Sequence, residues 1–359
     1  MKKIKILSIY RDYLTTNSGT SIRIRSILEY LDKYKNLDIT VCSFDKKYNN
    51  FKHIHLSNNF LNDNYKLIKY IKESNINIII VHTINSYCYL IPIKLFTNIK
   101  IILEMHGFME DAYLIYTRKY NIKYLFYKFI SIITYYSCDI ITTCSETAKK
   151  RLSKYNKNIV TVYGGVDLKL FNPQIKSGRY IKKDKKIVIA YVGNDRLWQG
   201  LNWFIDFYND FSQKYQDFRL VVISSGKHKP DYYRNIEYLK PLLHEEVARL
   251  LIDCDILIIP RLQNKVNYFS FPSKLPEYLA MGKVVVASNT SDVNKVIINN
   301  FNGVIYEPGN KFILEKTLLY LKDKKLRKKL GGESFNTAKN MTWKKQIDIF
   351  YKSLNSLIK

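Results

Sequence analysis

Along the chain, short apolar runs alternate with longer stretches in which apolar positions recur every three or four residues. Residues 4–9 (IKILSI) form the first short run and predict a strand. Residues 21–34 follow, with Ile24, Ile27, Leu28 and Leu31 on one helical face. Further strands are predicted at 39–44, 76–81, 99–105, 140–144 and 160–163, and helices at 64–73 and 113–137. A polar stretch at 172–186, with Pro173, Gly178 and six basic residues, reads as a linker. The alternation then restarts. Strands are predicted at 187–192, 218–224, 256–260 and 284–288, helices at 203–215, 244–253, 273–281 and 292–299, and a charged helical end at 311–359. Short apolar strands separated by helices predict parallel sheets covered on both faces.

Two such series predict an α/β protein of two facing Rossmann-like domains with a cleft between them. The expected division is a first domain at 1–171, a linker at 172–186, a second domain at 187–342, and a helix at 343–359 that packs back toward the first domain. In open α/β sheets ligands bind beyond the carboxyl ends of strands, so the loops after strands are where chemistry is expected.

Charge changes this picture less than its size suggests. The chain of 359 residues carries a formal net charge of +27, which raises the question of nucleic-acid or membrane binding. Residues 1–170 hold 26 basic and 13 acidic side chains and residues 171–359 hold 32 and 18, so the excess is spread evenly and there is no basic arm. Tyr, Ile, Asn and Lys are abundant together, a bias that an AT-rich coding sequence produces. With no recognised nucleic-acid motif, a nucleic-acid partner is set aside. Attraction to an anionic membrane surface remains, at ~1 kcal/mol per basic side chain.

Cys42, Cys88, Cys138, Cys144 and Cys254 form no CxxC pair, which suggests neither a metal site nor a disulfide framework. The apolar run at 4–9 is too short for a signal peptide, and no run approaches the ~20 residues of a membrane span. A cytoplasmic location, in contact with the inner face of the cell membrane, is the expectation.

Four loops carry candidate chemistry. The first strand leads through Asn17-Ser18-Gly19-Thr20-Ser21 into a helix, where glycine lets the backbone approach a phosphate or simply makes a capped turn. Glu104-Met105-His106-Gly107 places a histidine at a strand's carboxyl end. Tyr191-Val192-Gly193 opens a polar loop, Asn194 to Gly200, in which Arg196 is a natural charge for a diphosphate. The sharpest stretch is FPSKLPEYLAMGKVVVA at 271–287. There Ser273 can cap a helix whose N-terminus presents free N–H groups. Lys274 and Glu277 lie three apart on one face, the cation suited to phosphate and the carboxylate to the two hydroxyls of a ribose.

This stretch resembles the donor-binding signature of the GT-B glycosyltransferases of family 4, and other landmarks follow in the family's order. Gly19 matches the glycine loop, and His106 the histidine after the fourth strand. Gly165-Val166-Asp167 with Phe171 and Pro173 resembles the segment before the linker, and Gly193 with Gly200 the loop that opens the second domain. Asn302-Gly303 with Pro308-Gly309 resembles a late turn. The departures are specific. Asn194 and Gln199 stand where the family has the cations that hold the donor diphosphate, and Phe269 stands where it has the first of two glutamates.

The resemblance implies retaining transfer from a UDP- or GDP-linked sugar to a saccharide or lipid-linked saccharide, in surface polysaccharide assembly, with no cofactor and no metal. His106, Arg196, Lys274 and Glu277 are its implied catalytic residues. Gly19, Thr20, Gly193, Asn194, Gln199, Gly200, Ser273 and Leu275 would line the donor. Arg118, Lys119, Lys123 and Lys128 flank an aromatic segment at 124–136, which a membrane-surface helix would also show. A nucleotide-sugar epimerase of the same fold, and a catalytically silent partner of another transferase, are the competing readings.

Overall fold

A computed structural model describes residues 3–16, 18–83, 86–181, 184–224 and 235–358. Asn17 of the first loop and Lys182 and Lys183 of the expected linker lie outside them. The chain divides into two compact units, Met1–Tyr163 with Trp343–Lys359, and Gly164–Thr342.

The first unit runs β1 (Ile4–Tyr10), α1 (Gly19–Leu31), β2 (Leu37–Ser43), β3 (Lys52–His55), α2 (Phe60–Glu73), β4 (Ile78–His82), α3 (Tyr87–Phe96), β5 (Lys100–Met105), α4 (Met109–Thr117), α5 (Ile122–Ser137), β6 (Ile140–Thr143), α6 (Glu146–Leu152) and β7 (Ile159–Thr161). Its seven strands are all parallel, in the order β3-β2-β1-β4-β5-β6-β7. Several helices are started by short polar side chains: Ser18 Oγ accepts from the Ser21 amide (3.1 Å), and Asn121 Oδ1 from that of Tyr124 (3.1 Å). The expected helix at 113–137 is two, because Arg118 takes a left-handed conformation (φ 53°) that ends α4.

The second unit runs β8 (Ile187–Val192), α7 (Leu201–Lys214), β9 (Phe218–Ile223), β10 (Ile236–Leu239), α8 (His244–Leu251), β11 (Ile256–Ile259), α9 (Lys265–Phe269), α10 (Lys274–Ala280), β12 (Val284–Ser288), α11 (Val293–Val296), β13 (Val304–Tyr306), α12 (Lys311–Tyr320) and α13 (Lys324–Ala338). The six strands are again parallel, in the order β10-β9-β8-β11-β12-β13. Leu201, Phe204, Tyr208 and Phe211 of α7 pack on Leu220 and Val222 of β9 in its core.

The chain enters the first unit again with α14 (Trp343–Asn355). Trp343, Ile347, Phe350 and Leu354 join Ile24, Ile27, Leu28 and Leu31 of α1 in one apolar cluster. Burying about 25 cal/mol per Å² of apolar surface makes this stripe worth several kcal/mol.

The boundary expected after residue 171 falls after Tyr163 instead. Residues 164–171 belong to the second unit: Val166 bridges to Thr342, and the buried Phe171 ring lies 4.9 Å from that of His244. The expected linker is likewise no free tether. The Gly178 amide donates to the Arg249 carbonyl (3.0 Å), and the Tyr180 hydroxyl to Glu246 (3.1 Å). Polar composition marked a surface segment but could not tell a tether from one hydrogen-bonded along α8.

Candidate active site

In the second unit the strand order reverses between β8 and β11, where open parallel sheets bind ligands. The amide of Val192, at the end of β8, donates to the hydroxyl of Tyr278 (2.8 Å), which is buried on α10. That bond fixes α10 against the strand end. Gly193 has φ +149°, and a Cβ there would lie 2.6 Å from Lys274 Nζ. The missing side chain is the space the ammonium occupies.

Lys274 as a whole is half-buried, but its Nζ is out of reach of water and has no hydrogen-bond partner. It lies 4.1 Å from the centroid of the Tyr191 ring, a cation–π contact. Burial, reinforced by the neighbouring Arg261, pushes it down to about 7, while Glu277 works in the opposite direction. A buried, unpaired ammonium is costly unless an anion completes it.

Arg261, two residues beyond β11, is buried, and its Nη1 donates to the Ser270 carbonyl (2.8 Å). Sequence reading missed it. The available signal was a cation directly after Pro260, at the end of a predicted strand. The expected cation was Arg196. It is exposed, and its guanidinium lies 5.3 Å from the Trp198 ring; the charges acting on Lys274 are Arg261 and Glu277. Arg196 follows a loop that turns it onto the tryptophan, which spacing alone could not reveal.

Glu277 lies one turn along α10. His244 Nε2 donates to its Oε1 at 2.9 Å, so this carboxylate is held in one orientation. Ser273 does not cap α10. Its own backbone is helical (φ −58°, ψ −28°) and its side chain makes no capping bond, because a cap needs an extended residue. Nor is the helix end a row of free amides: the Leu275 N–H donates to the Pro272 carbonyl (3.0 Å), and Pro276 has none. Leu275 is fully buried as a core residue.

In the loop, the Asn194 carbonyl accepts from the Tyr191 hydroxyl (2.7 Å), and Gln199 Oε1 is buried without a partner. Gly200 has φ +74°, and a Cβ there would come within 1.8 Å of the Pro260 carbonyl oxygen. Only glycine lets the β8 loop pass this close to the end of β11.

The first unit holds a second cluster. Gly19 and Thr20 open α1 behind the Ser18 cap. His106 follows β5, and two positions before it Glu104 lies on the same strand face. Glu104 is fully buried; its Oε1 accepts from Arg23 Nε (2.8 Å), and its Oε2 from His82 Nδ1 (3.2 Å) and from His106 Nε2. Arg23 Nη2 also donates to the Val162 carbonyl (2.8 Å). Burial alone would raise the Glu104 carboxyl, but His106 and Arg23 hold it well below the usual carboxylate range. Burial keeps His82 neutral by lowering its value. The ligand atoms of His82, Glu104 and His106 lie within 4.8 Å of one another. Arg23 and His82 escaped sequence reading, because only the parallel register sets His82 beside Glu104.

Two family descriptions match the chain: Glycosyltransferase Family 4 over residues 19–170, and Glycosyl transferases group 1 over residues 174–337. An uncharacterised glycosyltransferase of Methanocaldococcus jannaschii is 25% identical, over 96% of this chain and 95% of its own length. A glycosyltransferase of Rickettsia africae has the same fold, with a TM-score of 0.79 at 19% identity over 100% of both chains. HepE of Anabaena, crystallised with UDP-glucose, gives 0.76 at 13% identity over 99% of both. The chain is a glycosyltransferase of the GT-B fold and belongs to the family 4-like group. Among the described residues, no helix is long and apolar enough to cross a membrane.

Proposed function

We propose that this glycosyltransferase moves a sugar, with retention, from a UDP- or GDP-linked donor to a saccharide or lipid-linked saccharide during surface polysaccharide assembly. The observation that carries the donor reading is the buried Lys274 ammonium, unpaired beneath Gly193 and beside Arg261. The diphosphate would complete that ammonium. Two fixed cations would then stabilise the charge on the leaving diphosphate without a metal, since preorganised donors cost no reorganisation at the moment of reaction. They replace the pair lost at Asn194 and Gln199. Glu277 holds the ribose hydroxyls, with His244 orienting its carboxylate. His106 hydrogen-bonds a hydroxyl of the transferred sugar. HepE, crystallised with UDP and with UDP-glucose, supports a donor of this class.

Calorimetry or thermal shift against UDP, GDP, ADP, CMP and their sugars tests this. A ligand that binds only the folded state raises the melting temperature. We expect a response to a uridine or guanosine diphosphate that disappears in Glu277→Ala. Silence across the whole set, with the protein folded, would refute the donor reading.

The acceptor side is read from α5. Ile122, Leu125, Phe126 and Phe129 are 86, 59, 60 and 61% exposed along one helical stripe, beside the exposed Lys119, Lys123 and Lys128. Apolar side chains rimmed by cations suit an anionic bilayer surface, and so a lipid-linked acceptor. Co-sedimentation with vesicles containing phosphatidylglycerol is expected, weaker with neutral vesicles. It should fall at least about tenfold in Leu125→Asp/Phe129→Asp, since each buried apolar side chain is worth roughly 1.5–3 kcal/mol.

A further inference from the structure

We propose that Glu104 is a positioning residue that fixes the ring of His106 with its Nε2 bearing hydrogen and its Nδ1 left as the nitrogen available to a ligand. A carboxylate can only accept hydrogen bonds, so every nitrogen that meets it must donate. Glu104 meets three. Arg23 Nε takes Oε1 at 2.8 Å, while His82 Nδ1 at 3.2 Å and His106 Nε2 share Oε2.

The tautomer of His82 follows. With hydrogen on Nδ1 and the ring neutral, its Nε2 is an acceptor and takes the hydrogen of Ser8 Oγ at 2.9 Å. The chain of bonds therefore runs in one sense, from Ser8 through His82 into Glu104, and His106 enters the same oxygen from the other side. Arg23 balances the carboxylate charge and is itself held by the Val162 carbonyl. Ser8, His82 and Glu104 sit on the neighbouring strands β1, β4 and β5. The carboxylate is thus mounted on the sheet rather than on a loop, as precise positioning requires. The side chain of His106 keeps 17% of its surface exposed, against none for His82. It is the member of the cluster that reaches outward.

A divalent ion held by His82, Glu104 and His106 is the competing account. Arg23 counts against it, because its guanidinium already balances the charge of the only carboxylate of the set, which a divalent ion would need.

The inference rests on the proposed function only for the use made of Nδ1; the tautomer can be read with no donor present. The full chain, labelled with [15N]histidine, is measured by two-bond 1H–15N correlation between pH 6 and 9, with His106→Gln to assign the resonance. We expect His106 Nε2 to be pyrrole-type throughout. A pyridine-type Nε2, or tautomers averaging in exchange, overturns the proposal in the wild-type protein, whether or not Glu104→Gln folds. Glu104→Gln offers one acceptor oxygen for three donors, so His106 should become a tautomer mixture while the melt stays cooperative. An unchanged tautomer in that folded variant also overturns it. So does stoichiometric Zn2+ that moves the His82 and His106 resonances together, which would identify a metal site. If UDP-glucose fails to bind but the tautomer is as stated, the donor reading falls and the network stands.

Discussion

Arg23→Ala should lower the stability of the first unit by about 3–5 kcal/mol, the cost of leaving one member of a buried ion pair without its partner. Glu104 is fully buried and Arg23 nearly so, so water cannot replace the lost guanidinium. The two neighbouring rings still offer hydrogen bonds and His106 still favours the carboxylate, but the guanidinium charge is gone and the carboxylate is left undercompensated. The pH dependence has a definite sign. The folded-state value of Glu104 is depressed, so its contribution is complete above the unfolded carboxylate value near 4.3 and is lost as pH falls through the folded value. The gap between wild type and Arg23→Ala should therefore narrow below about pH 4. The double variant Arg23→Ala/Glu104→Gln should be more stable than Arg23→Ala alone, because it removes the stranded charge. Urea melts of the three proteins decide the matter. A loss under about 1 kcal/mol in Arg23→Ala, the size of an exposed pair, would mean that the ion pair does not hold the sheet end together.

Binding of UDP-glucose should weaken roughly tenfold per pH unit above 7. The cause is Lys274, which burial and then Arg261 push down to about 7. In the free protein it is charged below that pH and neutral above it. The diphosphate favours the charged form, so above pH 7 binding must take up a proton. UDP-glucose itself has no phosphate that titrates in this range, which leaves the lysine as the source of the slope. Lys274→Met should bind at pH 6 about 10- to 100-fold more weakly, the value of a lost charged hydrogen bond, and its affinity should not change with pH. Stability should move the other way. An unfolded lysine keeps its proton up to about 10.4, the folded one loses it near 7, and so wild-type stability rises with pH across that window. At pH 6 Lys274→Met should melt above the wild type, having shed an unpaired buried charge. Calorimetry at pH 6, 7, 8 and 9 on both proteins reads the slope directly. A flat wild-type profile would remove Lys274 from the diphosphate site.

Both results turn on residues that the sequence presents unequally. That Lys274 and Glu277 share one helix was legible because helical spacing and the glycine-to-strand context around 271–287 are local properties. The parallel sheets were legible for the same reason: runs such as Ile78–His82 and Val284–Ser288 are apolar on both faces, as only a covered strand can be. The short strands β3, β10 and β13 were not foreseen. Lys52–His55 and Ile236–Leu239 bury no residue fully, so no apolar run announces them, and pairing with a neighbour is what makes them strands.

The sequence by itself therefore determined the class of fold, the ordered landmarks of the family, and the placing of Lys274 and Glu277 one turn apart on a single helix, because each depends on residues a few positions apart. Tertiary structure alone decided which cation stands beside Lys274, that Ser273 leaves its helix uncapped, that residues 164–171 join the second unit, and that Arg23, His82 and Glu104 meet. Most of those outcomes depend on how distant segments pack, which brings together residues such as Arg23 and Glu104, 81 positions apart in the chain. A one-residue shift in the register of β4 against β5 would turn His82 to the face opposite Glu104.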